Sequence, residues 1–309
     1  MQYRQLGATG ESVSAVSFGT APLGDMFGPA DEQVGLAAVQ LALESGINFF
    51  DSSPYYGNGL AEERLGKALA GHRDEVLIGT KAGRYGVNEF DFAPSRIRTS
   101  VEESLRLLGT DHIDILQLHD IEFVGLDSIF ADSYGELVAL RDAGKCRFIG
   151  MTGYPMHTLR RAISETELDV VLSYSHYTLL DQCLPERLLP LAQQRDVGVI
   201  NAAAVALGLL TPGELRINHP AGVEIRSAAE AVRAICAERG VNISFLANQF
   251  AIQRSGAATT LIGTVNPHHL NSAIDAVETP IDEEVLHQVL AATAKVCRLD
   301  WASGLPENN

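Results

Sequence analysis

Cysteine is scarce in this chain. Only Cys146, Cys183, Cys236 and Cys297 occur, and no two form a CxxC pair, so neither a zinc site nor a dithiol redox site is indicated. Four reduced, mostly buried thiols in a cytoplasmic protein are the expectation. Long apolar runs are missing as well. The longest, residues 202–210, is less than half of the ~20 residues that a spanning helix needs, so no membrane segment is expected. The opening MQYRQLGATGESV has no stretch like the apolar region of a signal peptide, and the chain reads as soluble and unexported. Basic charge is the third deficit. With 23 Lys and Arg against 39 Asp and Glu, the formal net charge is −16. That argues against nucleic acid or an anionic membrane as partner and disfavours a highly charged anionic substrate. Phosphate-binding signatures are also absent. No Gly-Lys-Ser/Thr occurs, and GTAPLG (19–24) does not match GxGxxG.

What is present is an alternation. Eight short apolar runs, VSAVSFGTA (13–21), INFFDSS (47–53), VLIGTKA (76–82), IDILQLH (113–119), FIGMTG (148–153), VVLSYS (170–175), VGVINAA (197–203) and TTLIGT (259–264), have the length and β-branched content of strands. Most are apolar at consecutive positions, as parallel strands buried on both faces require. Amphipathic stretches lie between them. Asp31 is predicted to cap a helix that ends at Gly46, a second begins at Ser95 after Pro94 and stops at Gly109, and a third covers 227–240. Eight strand–helix units in 309 residues predict a single (β/α)8 barrel over the whole chain. A doubly wound sheet is the alternative, without the glycine-rich turn it would normally carry. Residues from about 300 to 309 form a tail, either loose or folded over the barrel mouth.

In such a barrel, chemistry collects at the C-terminal ends of the strands. Asp51 ends the second strand, Lys81 the third and His119 the fourth, and Tyr56 lies five residues beyond Asp51. Each has a plainer reading: a turn cap, a solvated lysine, a histidine bonded to backbone, a packing aromatic. Their joint placement favours chemistry. A carbonyl that takes a hydride needs a proton, and the reverse reaction needs a base. A lysine cation near tyrosine favours tyrosinate and lowers its pKa, a carboxylate holds the lysine, and a histidine orients the substrate oxygen. That group suits hydride exchange with a nicotinamide. A metal is not indicated, because the adjacent His268 and His269 rarely serve one ion together and no third ligand is evident.

Nearly the whole chain resembles the aldo-keto reductase family. RQLGATGESVSAVSFGTAPLG is similar to its N-terminal β-hairpin and first strand, and NFFDSSPYYGNGLAEERLGKAL to the segment around its catalytic Asp and Tyr. GTKAG, DILQLHD, CRFIGMTGYP and LIGTVNPHHL resemble its lysine strand, histidine strand, fifth strand and pyrophosphate segment. The resemblance implies Asp51, Tyr56, Lys81 and His119 as the catalytic four. Tyr55 competes with Tyr56, but the family's tyrosine directly precedes glycine, as Tyr56 does. Within the family, FGTAPLG, LQLHDIEF and VLSYSHYTLLD look most like the branch of L-galactose, L-fucose-type (aldose 1-) and pyridoxal 4-dehydrogenases. The resemblance further implies a cofactor site at Gly19, Thr20, Asp51, Thr152, Tyr174, Ala202, Ala203, Val205, Gly263, Thr264 and His269. Thr152 would bond the carboxamide. Gly263 and His269 stand where NADPH-dependent members carry a basic pair, which implies NAD rather than NADP. Ala202 replaces the aromatic that often stacks on the nicotinamide. Tyr85, His176, Tyr177 and Trp301 are candidate substrate contacts beside Tyr56 and His119. The expected reaction is oxidation of an aldose at C1 to the lactone. A pyridoxal dehydrogenase, a general aldehyde reductase and a non-catalytic nicotinamide sensor are the alternatives, and monomer and homodimer are both open.

Overall fold

The computed structural model describes residues 1–213 and 219–309. Among the described residues ten strands form, in chain order: β1 (Tyr3–Gln5), β2 (Ser12–Ser14), β3 (Val16–Gly19), β4 (Phe49–Asp51), β5 (Leu77–Ala82), β6 (Ile113–Leu118), β7 (Cys146–Gly153), β8 (Val170–Tyr174), β9 (Gly198–Ala202) and β10 (Thr259–Ile262). β1 and β2 pair antiparallel as a small hairpin. β3 to β10 close into one parallel barrel, with β10 beside β3. Seven of the eight predicted runs contain one of these barrel strands, and the run 148–153 is itself contained in β7, which starts two residues earlier at Cys146.

The side-chain alternation of a strand sorts residues into two layers. Phe49, Leu77, Ile115, Val170, Leu172, Ile200 and Leu261 fill the lumen together with Leu6 and Val13 from the hairpin region, which plugs the N-terminal end. Phe18, Phe50 and Ile78 face the other way, into a cluster with Ala38, Ala42 and Leu65 from the surrounding helices. Among the described residues no helix is long and apolar enough to cross a membrane.

Helix ends follow the sequence signals. Asp31 accepts from the Val34 N–H and caps the helix Glu32–Glu44. The helix Pro94–Leu108 ends on Gly109 in the left-handed region. The helix predicted over 227–240 instead spans Val223–Glu238. Ile225 extends the buried face of Ala229 and Val232 by one turn, and packing outweighs the weaker cap signal. The last residues pack rather than hang free. The Trp301 ring stacks on Tyr154 at 4.5 Å, and the Asn308 amide donates to the carbonyls of Glu122 and Val124, both at 2.8 Å. The tail thus seats on the loops that follow β6 and β7.

Candidate active site

Alternation also decides which polar groups meet. Asp51 lies on the lumen face two residues after Phe49, Lys81 four after Leu77, and Gln117 and His119 two and four after Ile115. All four are at most 5% exposed. The Lys81 ammonium donates a very short hydrogen bond to Asp51 and another, 2.7 Å long, to the Ser52 carbonyl. The Gln117 amide donates to the second Asp51 oxygen at 3.2 Å. Lys81 lies 5.2 Å from the centre of the Tyr56 ring, and that ring meets His119 edge-on at 5.8 Å. The structure therefore brings Asp51, Tyr56, Lys81 and His119 together. Tyr55 is drawn elsewhere, under the Arg84 guanidinium at 4.2 Å. The glycine after Tyr56 has a steric reason: Gly57 has φ +67°, and a Cβ there would lie 2.5 Å from the Gly24 carbonyl oxygen.

Electrostatics corrects one expectation. Burial pushes the Tyr56 phenol above its ordinary value, although Lys81 pulls the other way. The lysine does not win, because the ring oxygen gives up water in the same place where it gains the cation. Tyr56 is thus a phenol at neutral pH. Burial works against charge on Lys81, but the charge and hydrogen bond of Asp51 oppose it, and the Lys81 ammonium is held above its ordinary value. Burial also holds the Asp51 carboxyl up, opposed by Lys81. His119 is pushed down to about 3, first by burial and then by Lys81 and Arg84, which makes it a neutral imidazole. Ser53 holds its Nδ1 side. The Ser53 oxygen accepts the Tyr55 N–H at 3.1 Å and lies 2.9 Å from His119 Nδ1. In the tautomer with the proton on Nε2, the Ser53 hydroxyl donates to Nδ1 and the Nε2–H faces away from Ser53.

The cofactor candidates occupy one rim. Gly19, Tyr174 and Ala202 end β3, β8 and β9, Thr152 lies one residue before the end of β7, and Gly263 follows β10. Ala203, Ala206 and Leu207 all have positive φ, a concentration of backbone strain beside Val205 in the loop after β9. Thr20 donates to Ser52 at 2.8 Å. Thr264 accepts the Asn266 N–H, and Asn266 caps the helix Pro267–Asp275, in whose first turn His269 is exposed. Thr152 is bonded to Asp120. Its hydroxyl accepts the Asp120 N–H at 2.9 Å and donates to the Asp120 carboxylate at 3.1 Å, so its proton is committed within the protein.

The four further substrate candidates separate. Tyr85 stacks on Arg96 at 3.8 Å and its hydroxyl accepts the Gly83 N–H; Tyr177 stacks on Phe250 at 4.7 Å. Both serve packing. His176 is buried beneath the Tyr154 ring, while its Nε2–H donates to the Tyr154 carbonyl and its Nδ1 lies 2.9 Å from Asp181. Cys183 completes a buried trio with His176 and Asp181, whose mutual hydrogen bonds account for their spacing. Trp301 lies on the opposite face of Tyr154. Three residues that sequence reasoning passed over, Arg84, Asp120 and Glu122, stand beside the Asp51–Tyr56–Lys81–His119 cluster or the tail. Their signal was position: Asp120 directly follows His119, and Arg84 follows Lys81 by three.

Glu122 carries a stability prediction. It is fully buried, accepts from Ser303 Oγ at 2.9 Å and from the Tyr154 N–H at 3.2 Å, and its other oxygen has no partner among the described residues. Burial first, then Asp120, pushes its carboxyl up to about 8 from an ordinary 4.5. Between those values the unfolded chain has lost a proton that the native state keeps. This group's contribution is therefore complete below pH 4.5 and falls as pH rises to about 8, by at most about 1.4 kcal/mol per pH unit. Glu62, raised to about 7 by burial, adds a slope of the same sign. Urea unfolding of Glu122→Gln and of the wild-type chain from pH 5 to 9 should give curves that diverge, the variant losing less stability as pH rises. Parallel curves would mean that Glu122 is ionised in the native state.

The Aldo/keto reductase family profile matches residues 15–293. L-galactose dehydrogenase of Arabidopsis thaliana is 41% identical, covering 100% of this chain and 99% of that protein. D-threo-aldose 1-dehydrogenase of a Pseudomonas species is 31% identical over 88% of this chain and 92% of its own length. Among solved structures, an aldo-keto reductase from Bacillus halodurans superposes with a TM-score of 0.80 at 26% identity, covering 100% of this chain and 99% of its own.

Proposed function

From the premise that this chain belongs to the aldo/keto reductase family and is an oxidoreductase, we propose that it oxidises C1 of a neutral aldose, of the L-galactose or L-fucose type, to the lactone with NAD. The observation that carries the reading is the buried Asp51–Lys81 pair set against Tyr56 and His119. Relatives named for aldose and L-galactose oxidation support the substrate class.

The rim residues fit a dinucleotide. Gly19, Ala202, Ala203 and Gly263 are small and leave backbone accessible, and the helix Pro267–Asp275 offers its positive N-terminal end to a pyrophosphate. A bound nicotinamide supplies the hydride acceptor. The rest falls to side chains. His119 donates its Nε2–H to the oxygen on the reacting carbon. The phenol oxygen of Tyr56, once ionised, takes the hydroxyl proton as the C1–H bond breaks, and Lys81 stabilises that tyrosinate while Asp51 fixes Lys81. Because Tyr56 is held protonated at neutral pH, oxidation quickens as pH rises. Aldehyde reduction, in which Tyr56 gives its proton, is the second reading, and the same raised phenol favours it.

No Lys or Arg lies between Arg254 and Lys295, which supports NAD over NADP. An NADP 2′-phosphate would lack the charge-assisted bonds that a basic pair provides, a difference of roughly 10- to 100-fold. Formation of NADH or NADPH with L-galactose, L-fucose and D-arabinose tests this reading. We expect turnover of at least one aldose, with kcat/KM for NAD at least about tenfold above that for NADP. Equal use of both cofactors would refute the NAD preference, and no aldose turnover would refute the substrate class.

A further inference from the structure

Arg84 and Asp120 stand at the mouth beside the catalytic group and have no part in the steps above. The Arg84 side chain is 16% exposed and that of Asp120 is 7% exposed, and they form a short ion pair. The guanidinium is held between aromatic faces, 4.2 Å from Tyr55, 5.2 Å from Phe90 and 5.5 Å from Phe123, so it is preorganised. Asp120 has φ +53°, a left-handed conformation unusual for a residue other than glycine and costly enough to mark functional positions. Its Oδ2 lies 3.7 Å from His119 Nε2. That is too long for a hydrogen bond, yet it borders the His119 nitrogen that faces away from Ser53. Arg84 and Thr152 use two of the roughly four lone-pair sites of the carboxylate. Acceptor capacity therefore remains next to the reacting oxygen.

We propose that Asp120, braced by Arg84, is a substrate-binding residue that accepts a hydrogen bond from the hydroxyl on the carbon next to the reacting one, and so selects neutral α-hydroxy carbonyl compounds and their cyclic hemiacetals. This rests on the oxidoreductase reading above and sharpens its substrate class. The pair balances its own charge, as Lys81 and Asp51 balance theirs, so the mouth offers no surplus cation to a sugar acid or sugar phosphate. A plain aldehyde would leave the remaining acceptor sites of this buried carboxylate unused, and such a loss is how a polar site discriminates.

The test compares DL-glyceraldehyde with propanal in the reductive direction with NADH, in wild type, Asp120→Asn and Arg84→Lys. Asparagine tolerates positive φ and keeps an acceptor for Thr152, so the backbone at 120 holds. Wild type should favour glyceraldehyde in kcat/KM by roughly 10- to 100-fold. In Asp120→Asn that ratio should collapse toward one, whatever happens to the two rates singly, and in Arg84→Lys it should fall part of the way. A wild type without preference, or an Asp120→Asn variant that slows both substrates and keeps the ratio, overturns the proposal. Failure to oxidise any aldose is a separate result. It removes the aldose reading and leaves the glyceraldehyde ratio interpretable.

Discussion

Tyr56→Phe should lower kcat by about 10²- to 10⁴-fold, the usual worth of a positioned general acid or base, and leave NADH binding within about threefold. The substitution removes one oxygen. The ring keeps its edge-on contact with His119 and its place near Lys81, and the tight approach of Gly57 to Gly24 does not involve the hydroxyl. Little packing is lost, and a fall in turnover reports on the proton. Steady-state rates in both directions, with fluorescence titration of NADH, check it. The pH profile adds a second reading. In wild type, oxidation should rise from neutral to alkaline pH, because burial holds the phenol above its ordinary value; the residual rate of the variant should lose that rise. A fully active Tyr56→Phe would move the proton to another group, and Tyr55, 5.9 Å from His119, would be the next to test.

How far the sequence reveals this site depends on the kind of contact. Strand and helix ends obey local rules. Continuous apolar runs located all eight barrel strands, and Asp31 and Gly109 marked helix ends that the structure keeps. The convergence of Asp51, Lys81 and His119 was legible because strand ends in a parallel barrel share one rim. The Arg84–Asp120 pair was legible in principle. Lys81 pairs with Gln117 and Ala82 with Leu118, and the same step carried two residues on sets Arg84 beside Asp120. It was missed because loop residues beyond a strand need not keep its register. The tail was illegible in its details. Trp301 and Tyr154 are far apart in the chain, and no local pattern announces such a stack. The direction of the Tyr56 shift was misjudged for a related reason: placement at neighbouring strand ends reveals that a lysine is near, but only the folded structure reveals how much water the phenol has lost.

Removing the Lys81 charge should have the largest combined effect. In Lys81→Met, Asp51 stays 2% exposed with its ion-pair partner gone and only the 3.2 Å bond from Gln117 and its backbone surroundings left. Breaking a buried pair on one side costs about 3–5 kcal/mol, because the remaining charge is uncompensated. The urea midpoint should drop accordingly, and turnover should fall at least as far as in Tyr56→Phe, since no cation remains to favour tyrosinate. The single variant cannot separate a damaged fold from a lost chemical group. Adding Asp51→Asn does so. The double variant has neither charge, asparagine preserves the shape at the end of β4, and an apolar or neutral replacement of a buried pair is often close to neutral for stability. We expect the double variant to recover most of the lost stability and none of the lost turnover. Recovery of both would mean that Lys81 acts only as scaffold. Recovery of neither would mean that the pair is needed to close β4 onto β5, where Asp51 and Gly79 are in register. Stability restored without activity would place the lysine cation itself in the proton-transfer step.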